Sequence, residues 1–139
     1  IETAFLAFIK GVPQMRGAIE GFSVGSTNRP FDLGEVSGTI RVAFYREHRQ
    51  ELKVVPPCNL KKFACNLSHA PKAVILSSVK SQWGYETQDD NIADAIVLAQ
   101  MARSNHLNIF SHRYQREALA TLDLPKAKKL LPPRSKDNL

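Results

Sequence analysis

The chain has 139 residues, of which 43% are hydrophobic and 23% are charged. This length supports one packed core but not two, and the composition excludes a wholly disordered chain. A formal net charge of +6 favours a polyanionic partner over a cationic one. We therefore expect one globular domain with an affinity for anions.

The positive charge is concentrated near the carboxyl end. From Arg103 onward, eight basic residues stand against three acidic ones, so this region carries +5 of the total +6. A basic terminus can bind nucleic acid, but a solvated segment that keeps the protein soluble is at least as common an explanation. The sequence leaves both interpretations open.

The cysteine content indicates the compartment. Cys58 and Cys65 are the only cysteines, and two are too few to complete a four-ligand zinc site. Free thiols are typical of a reducing environment. No apolar run is long enough to cross a bilayer, and no signal-peptide pattern opens the chain. We therefore predict a cytoplasmic protein without a membrane partner.

The amino-terminal half alternates between helical and strand patterns. Residues 1–10 have helical spacing but no cap or leading loop, so we expect the chain to begin inside a helix whose natural start is missing. Residues 16–22 are a short apolar run that predicts a buried strand, with Glu20 as its one charged interior residue. A helix over 33–48 and a strand over 52–55, ended by a proline pair, follow. In that helix we expect Gly34 and Gly38 to approach the sheet closely.

The carboxyl-terminal half is predicted to be helical. We expect Asp89 to cap the clearest helix, and we expect a basic, proline-broken tail from residue 125. The predicted helices cover 60–64, 71–83, 89–105 and 111–122. The predicted apolar stripe of the clearest helix consists of Ile92, Ala95, Ile96, Ala99 and Ala102.

This order of elements predicts an α/β fold. Strands separated by a helix are expected to be parallel, with a right-handed crossover. Two strands are few for such a sheet, which is usually larger and covered on both faces. We therefore expect a mostly parallel sheet flanked by helices, with the first strands absent from this chain.

Glu20 is the first candidate for chemistry. An ionised carboxylate within an apolar strand is costly unless it is paired, hydrogen-bonded or bound to a cation. An ion pair with Arg16, or a position at the exposed end of the strand, would explain Glu20 without any function. The sequence leaves these alternatives open.

A second group of candidates lies in the segment that begins at Asp89. Asp90 and Asn91 precede Asp94 by four and three residues, so either can project beside it from one face of a helix. The helix dipole alone explains acids in the first turn, but it explains Asp94 less well.

Carboxylates from a strand and a helix suit a magnesium-dependent phosphodiesterase, in which Asp and Glu oxygens hold cations that activate water. Such a site also needs basic residues around the phosphate. The candidates are Lys61, Lys62 and Lys72, although the first two can equally be solvated helix residues.

Five segments in this order resemble the RuvC-type crossover junction endodeoxyribonucleases, and the phage and phage-like members are the most similar. The segments are AIEGF at 18–22, LGEVSG at 33–38, VPPCNLKKFA at 55–64, APK at 70–72 and DDNIADAIVLA at 89–99. The resemblance implies a ribonuclease-H-like domain over residues 1–110 that lacks its N-terminal strands. Residues 111–139 would add a helix and the basic tail.

The resemblance also implies a function. Its members are Mg²⁺-dependent nucleases, with Mn²⁺ as a possible substitute, that act as homodimers on four-way (Holliday) DNA junctions in recombination, repair or phage DNA processing. Glu20 and Asp94 would match metal-binding carboxylates, with Asp90 or Asn91 as a further ligand. Lys61 and Lys72 would match basic residues at the scissile phosphate, and Lys62 would contact DNA. Phe22 would stand near an aromatic wedge, or else lie in the core.

Three departures weaken the expected activity. No acidic residue on a strand precedes Glu20, so the family's first catalytic Asp is missing. The loop over 65–69 lacks glycine, and Asn91 is neutral where the family often has Asp or His. We therefore predict that this chain is a weak or inactive nuclease. The alternative is a DNA-binding protein with the same fold and no chemistry. An enzyme of small metabolites is disfavoured because no glycine loop for phosphate is present.

Overall fold

The structure, a computed structural model, describes residues 2–21 and 30–122. Six helices and two strands alternate at first, and helices then follow one another. In chain order the elements are α1 (Glu2–Ile9), β1 (Ala18–Glu20), α2 (Pro30–His48), β2 (Lys53–Val55), α3 (Pro57–Cys65), α4 (Lys72–Trp83), α5 (Asp90–Leu107) and α6 (Arg113–Ala120).

The predicted fold class is wrong. Helix accounts for 65% of the described residues, and the sheet in this part of the chain has two strands, so it is not a ribonuclease-H-like fold with a sheet flanked by helices. The strands stay short for local reasons. Pro56 has no N–H with which to continue the ladder, and Pro57 then begins α3. The apolar segments after β2 have helical periods, so they add no strand to the sheet.

The two strands are parallel, as the crossover argument predicted. Ala18 lies opposite Lys53 and Glu20 lies opposite Val55. The Gly21 N–H donates to the Val55 carbonyl at 2.7 Å, so one further backbone bond extends the ladder past β1. The predicted strands thus exist and pair with each other, although they do not belong to a larger described sheet.

Helix ends follow the local signals of the sequence. Asp89 caps α5 because its carboxylate accepts a hydrogen bond from the Asn91 N–H at 2.8 Å. Gly84 ends α4 with a φ of 75°, the left-handed conformation that glycine adopts without strain. The predicted cap at Asp89 and the predicted end of the 71–83 helix, directly before Gly84, are both confirmed.

Two apolar clusters hold these elements together. The larger one joins β2 to α3, α4, α5 and α6 through buried residues such as Val55, Phe63, Val79 and Val97. The smaller one contains Ile9, Phe44 and Leu52, so it joins α1 and α2 to the start of β2. Within β1, Ala18 packs against the larger cluster and Ile19 against the smaller one. The alternation of a strand therefore places β1 between the two clusters.

The buried face of α5 differs from the predicted stripe. Ala93, Val97 and Met101 are buried at a spacing of four, whereas Ile92 is 51% exposed. Apolar residues occur around most of this helix, so periodicity alone did not identify the face that packs. The small side chain of Ala93, which has no exposed surface, allows the start of α5 to approach its neighbours closely.

The glycine prediction for α2 is also wrong. A Cβ added at Gly34 or Gly38 would meet no described atom within 4 Å. A close approach occurs instead at Gly17, where a Cβ would lie 2.5 Å from Leu52 Cδ2. The close contact therefore lies just before β1, between the chain and the smaller apolar cluster.

Helix α6 shares the larger cluster through Ala118 and Leu119. Polar contacts fix it in place. The Gln115 amide donates to Gln82 Oε1 on α4 at 2.9 Å, and Asn59 Nδ2 on α3 donates to the Ala118 carbonyl at 2.9 Å. The boundary proposed after residue 110 stays a prediction, but α6 itself packs with the helices that precede it.

Candidate acidic site

The candidate site is built where α5 packs against β1. Glu20 is the last residue of β1 and is exposed, and Asp94 lies half-buried in the second turn of α5. Asp94 directly follows the buried Ala93, so the packing of Ala93 holds the carboxylate beside the strand end. Glu20 therefore lies at the exposed end of its strand, one of the alternatives left open by the sequence.

The Asp94 carboxylate lies close enough to Glu20 to raise the pKa of Glu20. Partial burial raises the pKa of Glu20, the charge of Asp94 raises it further, and the Lys61 ammonium lowers it. Burial also raises the pKa of Asp94, with Asp90 adding to the rise and Lys61 and Lys72 opposing it. Repulsion between like charges in a partly desolvated place is what a bound cation would relieve. We call Glu20 and Asp94 the acidic pair.

Asp90 has a different partner. It forms an ion pair with Lys72, the first residue of α4, and this hydrogen bond holds the pKa of Asp90 below its usual range. The same contact raises the pKa of Lys72. The Lys72 side chain is largely exposed and that of Asp90 partly exposed, so the pair contributes little to stability. The ion pair instead fixes the position of α4 relative to α5, because it joins their first residues beside the acidic pair.

The remaining predicted residues divide between the site and its surroundings. The charge of Lys61, on α3, lowers the pKa of both members of the acidic pair. Lys62 faces α6 instead, and its Nζ lies 3.7 Å from Glu117 Oε2. The Asn91 side chain is exposed, and its backbone belongs to the cap of α5. Phe22 lies outside the described residues.

Arg16 does not pair with Glu20. Its Nε donates instead to His106 Nδ1 on α5, at 3.3 Å. No basic residue next to Glu20 in sequence therefore neutralises the strand-end carboxylate, and the opposing charge comes from Lys61, which lies on α3.

The residues present suit one hard cation better than two. No group of three or more His, Cys, Asp or Glu side chains within the described ranges is arranged to hold a metal ion. Mg²⁺ keeps several waters and is often held by one or two carboxylates together with substrate phosphates. The acidic pair fits that pattern because burial raises the pKa of both carboxyls and the charge of Asp94 raises that of Glu20 further. Asp90 is engaged by Lys72, so a second metal would lack protein ligands.

Comparisons with known proteins identify no relative. The chain matches no protein-family model, and no curated protein or solved structure is significantly similar to it. Among the residues that the structure describes, no helix combines the length and apolar character needed to cross a membrane.

The sequence arguments missed two features. The Lys72–Asp90 ion pair joins residues 18 apart and depends on how α4 and α5 meet. A basic and aromatic set was also missed, although Arg41, Tyr45 and Arg49 recur in the sequence at a spacing of four residues, on α2 and just after its end. That spacing was the signal that could have identified them.

Proposed function

We propose that the acidic pair binds one divalent cation, Mg²⁺ or Mn²⁺, and that the site hydrolyses phosphodiesters in branched DNA, with low activity in this chain. The observation that carries the proposal is the packing of α5 against β1, which places Asp94 and Lys61 near enough to Glu20 to shift its pKa. Perturbed carboxylates with basic neighbours are typical of functional sites.

The chain's own residues divide the work. Glu20 and Asp94 would hold the cation, which when bound polarises a phosphate oxygen and acidifies water. Lys61 supplies a positive charge for a phosphate beside the acidic pair. Asp90 orients the ammonium of Lys72 at the start of α4, where it can donate to a second phosphate oxygen.

The choice of DNA as substrate rests on two further observations. The net charge of +6 favours a polyanion, and the five ordered segments resemble the RuvC-type junction nucleases. That resemblance is also the reason to propose branched DNA and a homodimer. Its implied fold is not part of the proposal, because the structure contradicts it.

Cleavage of a synthetic four-way junction tests the proposal. The purified chain, in excess over a labelled junction, is incubated for hours with Mg²⁺ or Mn²⁺. We expect slow cleavage that requires the cation, exceeds cleavage of a linear duplex and disappears in Glu20→Gln and in Asp94→Asn. Glu35→Gln, an exposed change on α2, is the control. Products equal in the wild type and in a Glu20→Gln, Asp94→Asn double variant would contradict the proposal.

A second candidate is a junction-binding protein without chemistry. It is favoured by the absence, among the described residues, of three grouped metal ligands and by the engagement of Asp90 with Lys72. In that case junction affinity would survive both neutralising substitutions and would fall steeply with salt, because phosphate contacts dominate. Binding and cleavage measured on the same variants distinguish the two candidates.

We place the protein in the cytoplasm. Cys58 and Cys65 are both free thiols, which suits a reducing compartment.

A further inference from the structure

A groove of about 530 Å³ runs along α2, and its lining differs from that of the acidic site. Its lining residues are basic, aromatic, apolar and acidic: Gly38, Arg41, Val42, Tyr45, Arg46, Arg49, Glu51 and Leu52. None of the acidic pair, Lys61 or Lys72 contributes to it. The groove therefore calls for a separate explanation.

Helical geometry brings these side chains together. Arg41 and Tyr45 lie four residues apart on one face of α2. Arg49 follows the end of the helix in the left-handed conformation and lines the same groove. The opposite face packs inward, where Ala43 and Phe44 are buried. The arginines thus lie on the exposed side of α2, and Leu52 of the smaller apolar cluster also lines the groove.

The groove carries an excess of positive charge. Three guanidinium groups line it against the single carboxylate of Glu51. Within residues 2–21 and 30–122, no ion pair or side-chain hydrogen bond occupies the guanidinium groups of Arg41, Arg46 or Arg49. Guanidinium groups bind phosphate oxygens through paired N–H donors, so unengaged arginines in a row suit a chain of phosphates.

An aromatic ring lies among these charges. Tyr45 is 48% exposed, and a Cβ at Gly38, on the same face, would meet no described atom within 4 Å. An exposed ring between cations is a platform on which a base can stack while its phosphates contact the arginines. The absence of a side chain at Gly38 leaves room for a nucleic-acid strand to approach the backbone of α2. In a duplex the base faces are already stacked, so the ring favours unpaired nucleotides.

We propose that the α2 groove binds single-stranded nucleic acid, with the arginines on the phosphates and Tyr45 stacked on a base. This goes beyond the proposed function, since a strand could bind here whether or not the acidic site cleaves DNA. An acidic protein would use the same charges but would gain nothing from the ring.

Anisotropy with a labelled oligothymidylate of about 12 nucleotides, within the usual site size, tests the charges. The full chain is compared with Arg41→Gln, Arg49→Gln and with a matched control, Lys80→Gln, Arg103→Gln, which also lowers the net charge by two. We expect the groove variant to lose at least tenfold in affinity. The slope of log affinity against log salt concentration should become shallower by about 1.4, because each of the two lost phosphate contacts contributes about 0.7. Equal losses in both variants would overturn the proposal.

The ring is tested with a second pair of variants. Tyr45→Leu is compared with Tyr85→Leu, because Tyr85 is a tyrosine of similar exposure, at 53%, outside the groove. Stacking predicts about a fivefold or greater loss for Tyr45→Leu alone. It also predicts that an abasic strand of equal charge binds the wild type as weakly as oligothymidylate binds Tyr45→Leu. The proposal fails if polyglutamate competes as well as oligothymidylate, because the groove is then a site for acidic chains in general. It also fails if the abasic strand binds the wild type as well as oligothymidylate does.

Discussion

Glu20 and Asp94 are carboxylates whose environment works against their own ionisation. Both pKa values are raised, first by burial and then by a neighbouring negative charge. Such an arrangement costs folding free energy at neutral pH, when both groups are charged. Proteins retain such costs where a function uses them.

Neutralising either carboxylate should therefore stabilise the fold. We expect Glu20→Gln and Asp94→Asn each to raise the free energy of unfolding at pH 7 by up to about 1 kcal/mol, since solvent screening limits the effect. Thermal melts without divalent cations measure it. Glu35→Gln should leave the melting temperature unchanged, and a destabilisation by either site variant would contradict the electrostatic account.

The pH dependence follows from the same shifts. An acid with a raised folded pKa binds its proton more tightly in the folded chain, so stability falls as pH rises from about 4, the unfolded value, through the folded pKa. We expect urea unfolding to show this decline in the wild type and to show less of it in a Glu20→Gln, Asp94→Asn double variant. Identical pH profiles would mean that other groups cause the decline.

The acidic residues of the candidate site could be selected from the sequence, but the side chains that they contact could not be predicted. A lone Glu near an apolar run and an Asp in the second turn of a helix are both unusual enough to notice. The ion pair of Lys72 with Asp90 depends on the angle at which α4 meets α5, which no local pattern encodes.

At the scale of the elements, helix ends were predictable and buried faces were less so. Caps such as Asp89 and Gly84 act through bonds within a few residues, so they can be read locally. The buried face of α5 depends on helices that are distant in sequence. Because alanines occur on several faces of α5, the sequence is compatible with burial of more than one face.

Glycines in and beside the elements give a matched stability test. Gly34→Ala should stabilise α2 by about 0.5 to 1 kcal/mol, because helical glycine is costly and no described atom lies within 4 Å of the new Cβ. Gly17→Ala should instead destabilise by up to about 1 kcal/mol, because the terminal methyl of Leu52 must rotate away from the new Cβ. Urea denaturation of both variants measures the difference. Equal effects would contradict the packing described around β1.

The described part of the molecule is organised around helices. Local patterns predicted each of these helices, but the fold class predicted from them was wrong. Both strands were predicted, but their extension into a larger sheet rested on a family resemblance and on what parallel sheets usually need. In the described chain, helices pack on the short sheet instead and supply most of the core.

Helix α6 should unfold together with the rest of the larger cluster. Leu119→Ala should cost about 2 to 5 kcal/mol, because Leu119 is buried against that cluster. Leu107→Ala, at a leucine that is 48% exposed, is the control. Circular dichroism and the fluorescence of Trp83 should report one shared transition. A separate early transition in circular dichroism, with Trp83 unaffected, would show that α6 is an independent appendage.

The central claim is that Glu20 and Asp94 together bind a divalent cation, and calorimetric titration of Mn²⁺ or Mg²⁺ into the purified chain tests it most directly. We expect one site per chain, with affinity that rises with pH as the two carboxylates lose their protons. Binding should be lost in Asp94→Asn and retained in Glu35→Gln. Unchanged binding in Asp94→Asn, or no binding by the wild type at millimolar cation, would contradict the account.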